Sequence, residues 1–179
     1  PWVWRAGGIS SDGQGRGCVW EWHEQGDKGE DMTNPSQNII GRDDILKIFT
    51  DGASRNNGGA SACAYIFVKD DQPFYKKSHF LGDTTNNIAE YEAIIRALSE
   101  AEKYTRWNIE VYSDSELVIK QINKVYRIKK DYLSSRCEKV YALVQKFEKV
   151  DFISVSRSNK FIKQADQLCN DCINQNYGK

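Results

Sequence analysis

A chain of 179 residues, 40% hydrophobic and 28% charged, has material for one sizeable core and at most a small appendage. Lys plus Arg and Asp plus Glu both number 25, so global charge gives no case for a polyanionic partner and any such case rests on local clusters. No apolar run approaches the ~20 residues that span a bilayer and no signal-peptide core opens the chain, so a cytoplasmic protein without membrane association, most simply a monomer, is expected.

Residues 1–43 differ from the rest. Seven of the 13 glycines and four of the five tryptophans (Trp2, Trp4, Trp20, Trp22) precede Met32, the only methionine, and no helical or alternating period orders them. One reading is a small aromatic module that grips nucleic acid. The other, adopted here, is an N-terminal extension that is disordered or non-native, with natural translation starting at Met32 and residues 32–42 as a polar lead-in.

From Asp44 the patterns sharpen. Residues 45–50 read as a strand that ends on Asp51, followed by Gly52, a glycine that allows a sharp turn. Packing has no use for a carboxylate at the tip of a central strand, so other acids are expected to converge there around a cation. A turn-rich loop, Ser54-Arg55-Asn56-Asn57-Gly58-Gly59, leads to a strand over 62–68, and Asp70-Asp71-Gln72-Pro73 leads to another over 74–81. The opening is thus an antiparallel meander.

Residues 82–87 supply several N-caps for a helix whose apolar stripe is Ile94, Ala97, Leu98 and Ala101. Four residues before Ile94 stands Glu90, an acid on the core side of the helix start, whereas Glu92 is rotated onto the solvated face. The strand over 107–113 ends at Asp114. That residue would cap the helix over 115–123, in which Leu117, Val118, Ile119 and Ile122 face inward. Adjacent parallel strands carrying Asp51 and Asp114 would bring the two acids together at the carboxyl edge, where open α/β sheets place their ligands.

Lys120, Lys124, Arg127, Lys129 and Lys130, interleaved with Tyr126 and Tyr132, form the one dense basic run, either a solvated face or a phosphate-tracking groove. A helix over 133–147, a strand over 152–156 and a helix over 161–173 complete the chain, with Asp166 beside the last helix's apolar stripe. Five scattered cysteines fit reduced thiols, and Cys169 and Cys172 read as small core residues rather than a zinc or redox pair. The order β-β-β-α-β-α-α-β-α predicts an α/β fold: a five-stranded mixed sheet, antiparallel meander first and β-α-β crossovers after, with helices on its faces.

Residues 44–179 resemble a ribonuclease H of type 1, through Phe49-Thr50-Asp51-Gly52-Ala53, Thr84-Thr85-Asn86-Asn87 with Ala89-Glu90, Tyr112-Ser113-Asp114-Ser115-Glu116-Leu117-Val118, and Ala165-Asp166-Gln167-Leu168. The resemblance implies a metal-dependent endonuclease that hydrolyses the RNA strand of an RNA–DNA hybrid to 5′-phosphate and 3′-hydroxyl ends, using two Mg²⁺ or Mn²⁺ ions. It implies Asp51, Glu90, Asp114 and Asp166 as catalytic metal ligands, and Ala53, Ser54, Asn57, Asn86, Asn87 and Glu116 as substrate contacts. Oxygen-only ligands suit such hard cations, and crowded carboxylates need them to stay ionised.

Two features depart from that pattern. The segment Arg157-Ser158-Asn159-Lys160-Phe161-Ile162-Lys163-Gln164 lacks the histidine many members carry before the final acid and resembles the branch with arginine in that neighbourhood. Residues 125–132 are too few for the basic protrusion some members use, which predicts weaker substrate grip with residues 120–130 in partial compensation. A DNA nuclease of the same fold and a non-catalytic hybrid-binding module are the alternatives; the three asparagines disfavour the first and the four intact acids the second.

Overall fold

The computed structural model describes the backbone of residues 2–10 and 17–24 and all of residues 40–176. Among these, seven strands are β1 (Trp2–Ser10), β2 (Gly17–Glu24), β3 (Ile45–Ser54), β4 (Ala60–Lys69), β5 (Gln72–Asp83), β6 (Asn108–Ser113) and β7 (Lys149–Ser154). Four α-helices follow the meander or alternate with the later strands: α1 (Asn86–Ala101), α2 (Glu116–Ile122), α3 (Asp131–Val144) and α4 (Lys160–Asn176). All seven strands join one sheet in the order β1-β2-β5-β4-β3-β6-β7.

The five strands from β3 onward are the expected mixed sheet. β3 runs antiparallel to β4 and β4 to β5, whereas β6 is parallel to both β3 and β7. The other two strands correct the reading of residues 1–43 as lacking regular structure. β1 and β2 pair antiparallel, and β2 extends the sheet by setting Gly17–Trp20 against His79–Lys76 of β5. Tryptophan and valine favour strands, but glycines dilute the pattern there, and edge pairing with β5 is a tertiary fact that no local period contains. The proposed start at Met32 lies outside the described residues. The end of the polar lead-in does not stay outside the core: Ile40 is buried and its N–H donates to the Tyr104 carbonyl at 2.8 Å.

The sheet separates two apolar layers. Leu46 and Ile48 of β3 and Tyr65 and Phe67 of β4 face a layer built with α1, α2 and α3, where Ile94, Leu98, Val118 and Val140 are fully covered. Phe49 and the alternating Ala62, Ala64, Ile66 and Val68 face α4 through Phe161, Ile162, Ala165 and Cys169. This is the period-2 signature of a strand covered on both sides. Small residues on β4 let α4 settle close, and Cys63, Cys169 and Cys172 are buried free thiols, core residues as the sequence predicts. Among the described residues no helix is long and apolar enough to cross a membrane.

Helix α2 is rotated from its expected facing. Leu117 is 40% exposed, while Gln121 is buried and accepts a 3.0 Å hydrogen bond from the Tyr91 hydroxyl on α1. Glu92 is also less solvated than expected, lying between Arg96 at 3.7 Å and Arg136 at 3.3 Å and tying α1 to α3.

Candidate active site

Parallel pairing between β3 and β6 ends at Thr50 opposite Ser113. The next residue on each strand is an acid, so Asp51 and Asp114 emerge side by side where the two backbones part. β3 itself continues to Ser54, with Asp51 opposite Ala64 of β4. Asp51 therefore sits inside a strand, not at its tip. By alternation Asp51 belongs with Phe49 on the α4 face, while Gly52 belongs with Ile48 on the α1 face.

Gly52 is needed for approach rather than for a turn. A Cβ there would stand 2.3 Å from both the Ala89 carbonyl carbon and the Glu90 nitrogen, closer than real atoms come. The bare glycine lets the first turn of α1 rest on β3, and that contact delivers Glu90. Thr85 caps the helix by accepting from the Ile88 N–H at 3.4 Å, which leaves the Glu90 carboxylate without a capping role. Asp114 is not a cap either: Ser115 holds the N-cap position of α2, and its N–H donates to Ser113 Oγ at 3.1 Å.

Asp51, Glu90 and Asp114 each bring a carboxylate oxygen within 4.8 Å of the other two. Asp51 is 3% exposed and Glu90 4%, and Asp51 Oδ2 and Glu90 Oε2 are buried with no hydrogen-bond partner. Burial lifts the Asp51 acid from 3.8 to about 7, with the Asp114 and Asp166 carboxylates adding to the rise. Burial likewise pushes Glu90 well above its ordinary range, with Asp51 and Asp114 next in effect. Uncompensated acids held this way are costly, and orphaned buried oxygens call for a cation. An all-oxygen donor set of this charge fits a hard divalent ion such as Mg²⁺ or Mn²⁺.

Asp166 stands apart from that trio. It lies nearly two turns into α4, on a helix that starts at Lys160, and its side chain is 38% exposed. Its charge reaches Asp51 without joining the close cluster. Arg157, in the loop before α4, links it to the rest: Nη2 is 3.7 Å from Asp166 Oδ1 and Nε is 3.6 Å from Asp114 Oδ2. Below the acids, Phe49 stacks on Tyr112 with centroids 4.7 Å apart and meets Phe161 at the same distance, which fixes α4 against β3 and β6. Cys169 adds a tie by donating its thiol to the Asp51 carbonyl at 3.4 Å.

The remaining residues expected at the site fall around it in two places. Ser54, at the end of β3, donates to the Thr84 carbonyl at 2.5 Å and accepts from the Gly58 N–H, and Asn57 accepts from the Asn86 N–H at 3.1 Å. These bonds bind the loop after β3 to the start of α1, so Asn57, Asn86 and Asn87 form one ledge. Asn56 and Asn57 both take left-handed backbone angles, φ 52° and 50°, which asparagine tolerates. Ala53 is partly buried against the α4 layer. Glu116 is mostly exposed and paired with Lys120, one turn along α2.

A groove of about 440 Å³ begins at Asn87 and runs between Leu117 and Tyr126 to Arg127, Lys129 and Lys130. The basic run is thus partly a groove wall, although Lys120 itself is engaged by Glu116 and by Tyr126, over whose ring its ammonium lies at 4.9 Å. Gly52's contact with α1 and the Arg157 bridge were not anticipated from sequence. The bridge had one local signal, a lone arginine shortly before Asp166, and the contact had none, because it depends on the packing of α1.

A family described as reverse transcriptase-like matches residues 49–172. Ribonuclease H of Clostridium botulinum strain Hall is 31% identical over 146 residues, covering 72% of this chain and 95% of that protein. The bifunctional protein Rv2228c of Mycobacterium tuberculosis is 31% identical over 128 residues, covering 70% of this chain and 35% of its own length, so the chain spans about a third of the mycobacterial relatives it matches. The solved structure of LC11-RNase H1 in complex with RNA/DNA hybrid superposes with a TM-score of 0.68 at 30% identity, covering 73% of this chain and 98% of that one.

Proposed function

The chain belongs to the ribonuclease H family, and from that premise we propose that it hydrolyses the RNA strand of RNA–DNA hybrids, leaving 5′-phosphate and 3′-hydroxyl ends. The observation that carries the reading is the trio Asp51, Glu90 and Asp114, with oxygens within 4.8 Å of one another and two of them buried without partners. Two Mg²⁺ or Mn²⁺ ions, when bound, would supply the positive charge that readies a water for attack and steadies the departing 3′ oxygen. Asp51, Glu90 and Asp114 would hold them from the inner side and Asp166 from the outer side, with Asp51 central to both groups. No serine, cysteine or histidine nucleophile is required of the chain.

Substrate recognition in this reading belongs to the ledge and the groove. Asn57, Asn86 and Asn87 carry amides that both donate and accept, which suits the 2′-hydroxyls and base edges of a shallow minor groove, and Ala53, Ser54 and Glu116 flank them. Arg127, Lys129 and Lys130 offer charge to the phosphates of the DNA strand. The hybrid held by LC11-RNase H1 supports the assignment. Residues 44–179 carry every group named, residues 1–43 are an extension to them, and one chain suffices.

The test is cleavage of a strand-labelled hybrid and of duplex DNA with Mg²⁺, Mn²⁺ or chelator. Cutting confined to the RNA strand and abolished by chelator is expected. Binding without cutting would replace the proposal with a hybrid-binding module, and cutting of duplex DNA with a DNA nuclease.

A further inference from the structure

Arg157 is 79% exposed, yet its guanidinium spans two acids on different elements, Asp114 after β6 at 3.6 Å and Asp166 on α4 at 3.7 Å. Both separations exceed hydrogen-bond length, so charge rather than a directed bond holds it in place. The acids themselves divide by depth. Asp51 and Glu90 are almost fully covered, while the side chains of Asp114 and Asp166 are 14% and 38% exposed. The inner half of the cluster, Asp51 with Glu90 and Asp114, has its oxygens within 4.8 Å of one another. A cation entering there meets three converging carboxylates. One entering the outer half, at Asp114 and Asp166, meets carboxylates that already share a positive group.

Resting on the ribonuclease H reading above, we propose that Arg157 is a resident counter-ion of the outer half, which competes with the second divalent ion for Asp114 and Asp166 and so makes the two ions load in order, inner before outer. Exposure and loose geometry are what the role needs, because a cation that must yield cannot be locked by burial or by bidentate bonds. Arg157 is thus a positioning residue, acting through the two acids. Its guanidinium cannot lose its proton in the working range, so the competition persists at every pH at which the acids are ionised.

Mn²⁺ titration of the full chain without nucleic acid, read by calorimetry and by the electron spin resonance of free Mn²⁺, tests this. The wild type is expected to show a tight and a weak class of site. Arg157→Ala and Arg157→Gln should tighten the weak class roughly three- to thirtyfold, the range two exposed ion pairs allow, and change the tight class less than about twofold. Arg157→Lys should fall between. In an Asp166→Asn background the weak class should vanish and Arg157→Ala should then change nothing. A weak class that is unchanged or weaker in both Arg157→Ala and Arg157→Gln, or a single unaltered class in wild type and variants, would overturn the proposal while leaving the metal centre standing. A wild type that binds no Mn²⁺, or an Asp51→Asn chain that binds it as the wild type does, would instead remove the metal-centre reading itself.

Discussion

Gly52 on β3 and Glu90 on α1 are in backbone contact, so close that a Cβ at position 52 would lie 2.3 Å from the Glu90 nitrogen. The relationship joins the fold to the chemistry. Asp51 and Glu90 hang from opposite faces of the sheet, and their carboxylates meet because the residue between them has no side chain. The same glycine serves the Glu90 acid with a backbone hydrogen bond that opposes part of the rise caused by burial.

Gly52→Ala is accordingly expected to impair both stability and turnover. The atoms it would strike are backbone, which cannot swing aside, so α1 has to shift from β3. Overpacking of this kind costs about 1–3 kcal/mol and on occasion more. A displacement of Glu90 on the order of 1 Å should lower kcat by about 100-fold. Denaturant melts and hybrid-cleavage kinetics would check both; a variant with unchanged Cm and kcat would show that the approach has no consequence.

The raised acids set a direction for the pH dependence of stability. Asp51 titrates near 7 in the folded chain and near 3.8 once exposed by unfolding, and Glu90 moves in the same direction. Between those values the folded form keeps protons that the unfolded form has released, so unfolding free energy falls as pH rises through the window. Without divalent ions, stability should therefore drop from about pH 5 to about pH 8, by on the order of 4 kcal/mol if Asp51 alone is counted. Millimolar Mn²⁺ should flatten the decline, because the ion takes the place of the protons. Scanning calorimetry across that range, with chelator and with Mn²⁺, would read it; a metal-free midpoint that climbs with pH would contradict the burial of these acids.

What the sequence made legible follows the reach of its signals. The meander, the crossovers and the facing of Glu90 are local periods, and the structure keeps each of them, extending β3 past Asp51 to Ser54 and starting α3 at Asp131. Asp51 and Asp114 were expected to meet because the sheet register that joins them follows from two parallel strands ending on acids, and they do meet. The contacts that escaped notice are long-range: Gly52 against α1, Arg157 across to α4, Glu92 between Arg96 and Arg136, and β2 along β5. None of these is a period, and a single glycine, arginine or glutamate says nothing of what it will touch. The inward facing assigned to Leu117 failed for a related reason, since α2 is only seven residues long and its stripe is too short to define a face.

The groove predicts how affinity depends on salt. Arg127, Lys129 and Lys130 line it beside Tyr126, and no acidic residue lines it with them. If these cations follow the DNA strand, Lys129→Ala combined with Lys130→Ala should raise KM or Kd for a hybrid roughly tenfold at about 0.1 M salt, leave kcat within about twofold, and reduce the slope of log affinity on log salt by about 1.5–2. Fluorescence anisotropy across a salt series would measure the slope. An unchanged slope would return the run to a solvated surface.

Asp51→Asn separates the electrostatic role of the residue from its packing. The substitution keeps volume and shape inside the strand, and Cys169 donates to the backbone carbonyl of residue 51, which the change leaves in place. It removes one of three buried negative charges, whose carboxylate has an oxygen without any partner. The amide can instead donate to the neighbouring Glu90 or Asp114 carboxylate, so the metal-free variant should melt higher than the wild type near pH 8, by several degrees for about 2 kcal/mol regained. Cleavage should fall by on the order of 1,000-fold, as expected for loss of a central charge-stabilising group, and excess Mn²⁺ should not restore it. Higher stability together with lost turnover is the signature of a group kept for chemistry at the expense of the fold. A variant that cut hybrids at wild-type rate in Mg²⁺ would remove Asp51 from the reaction.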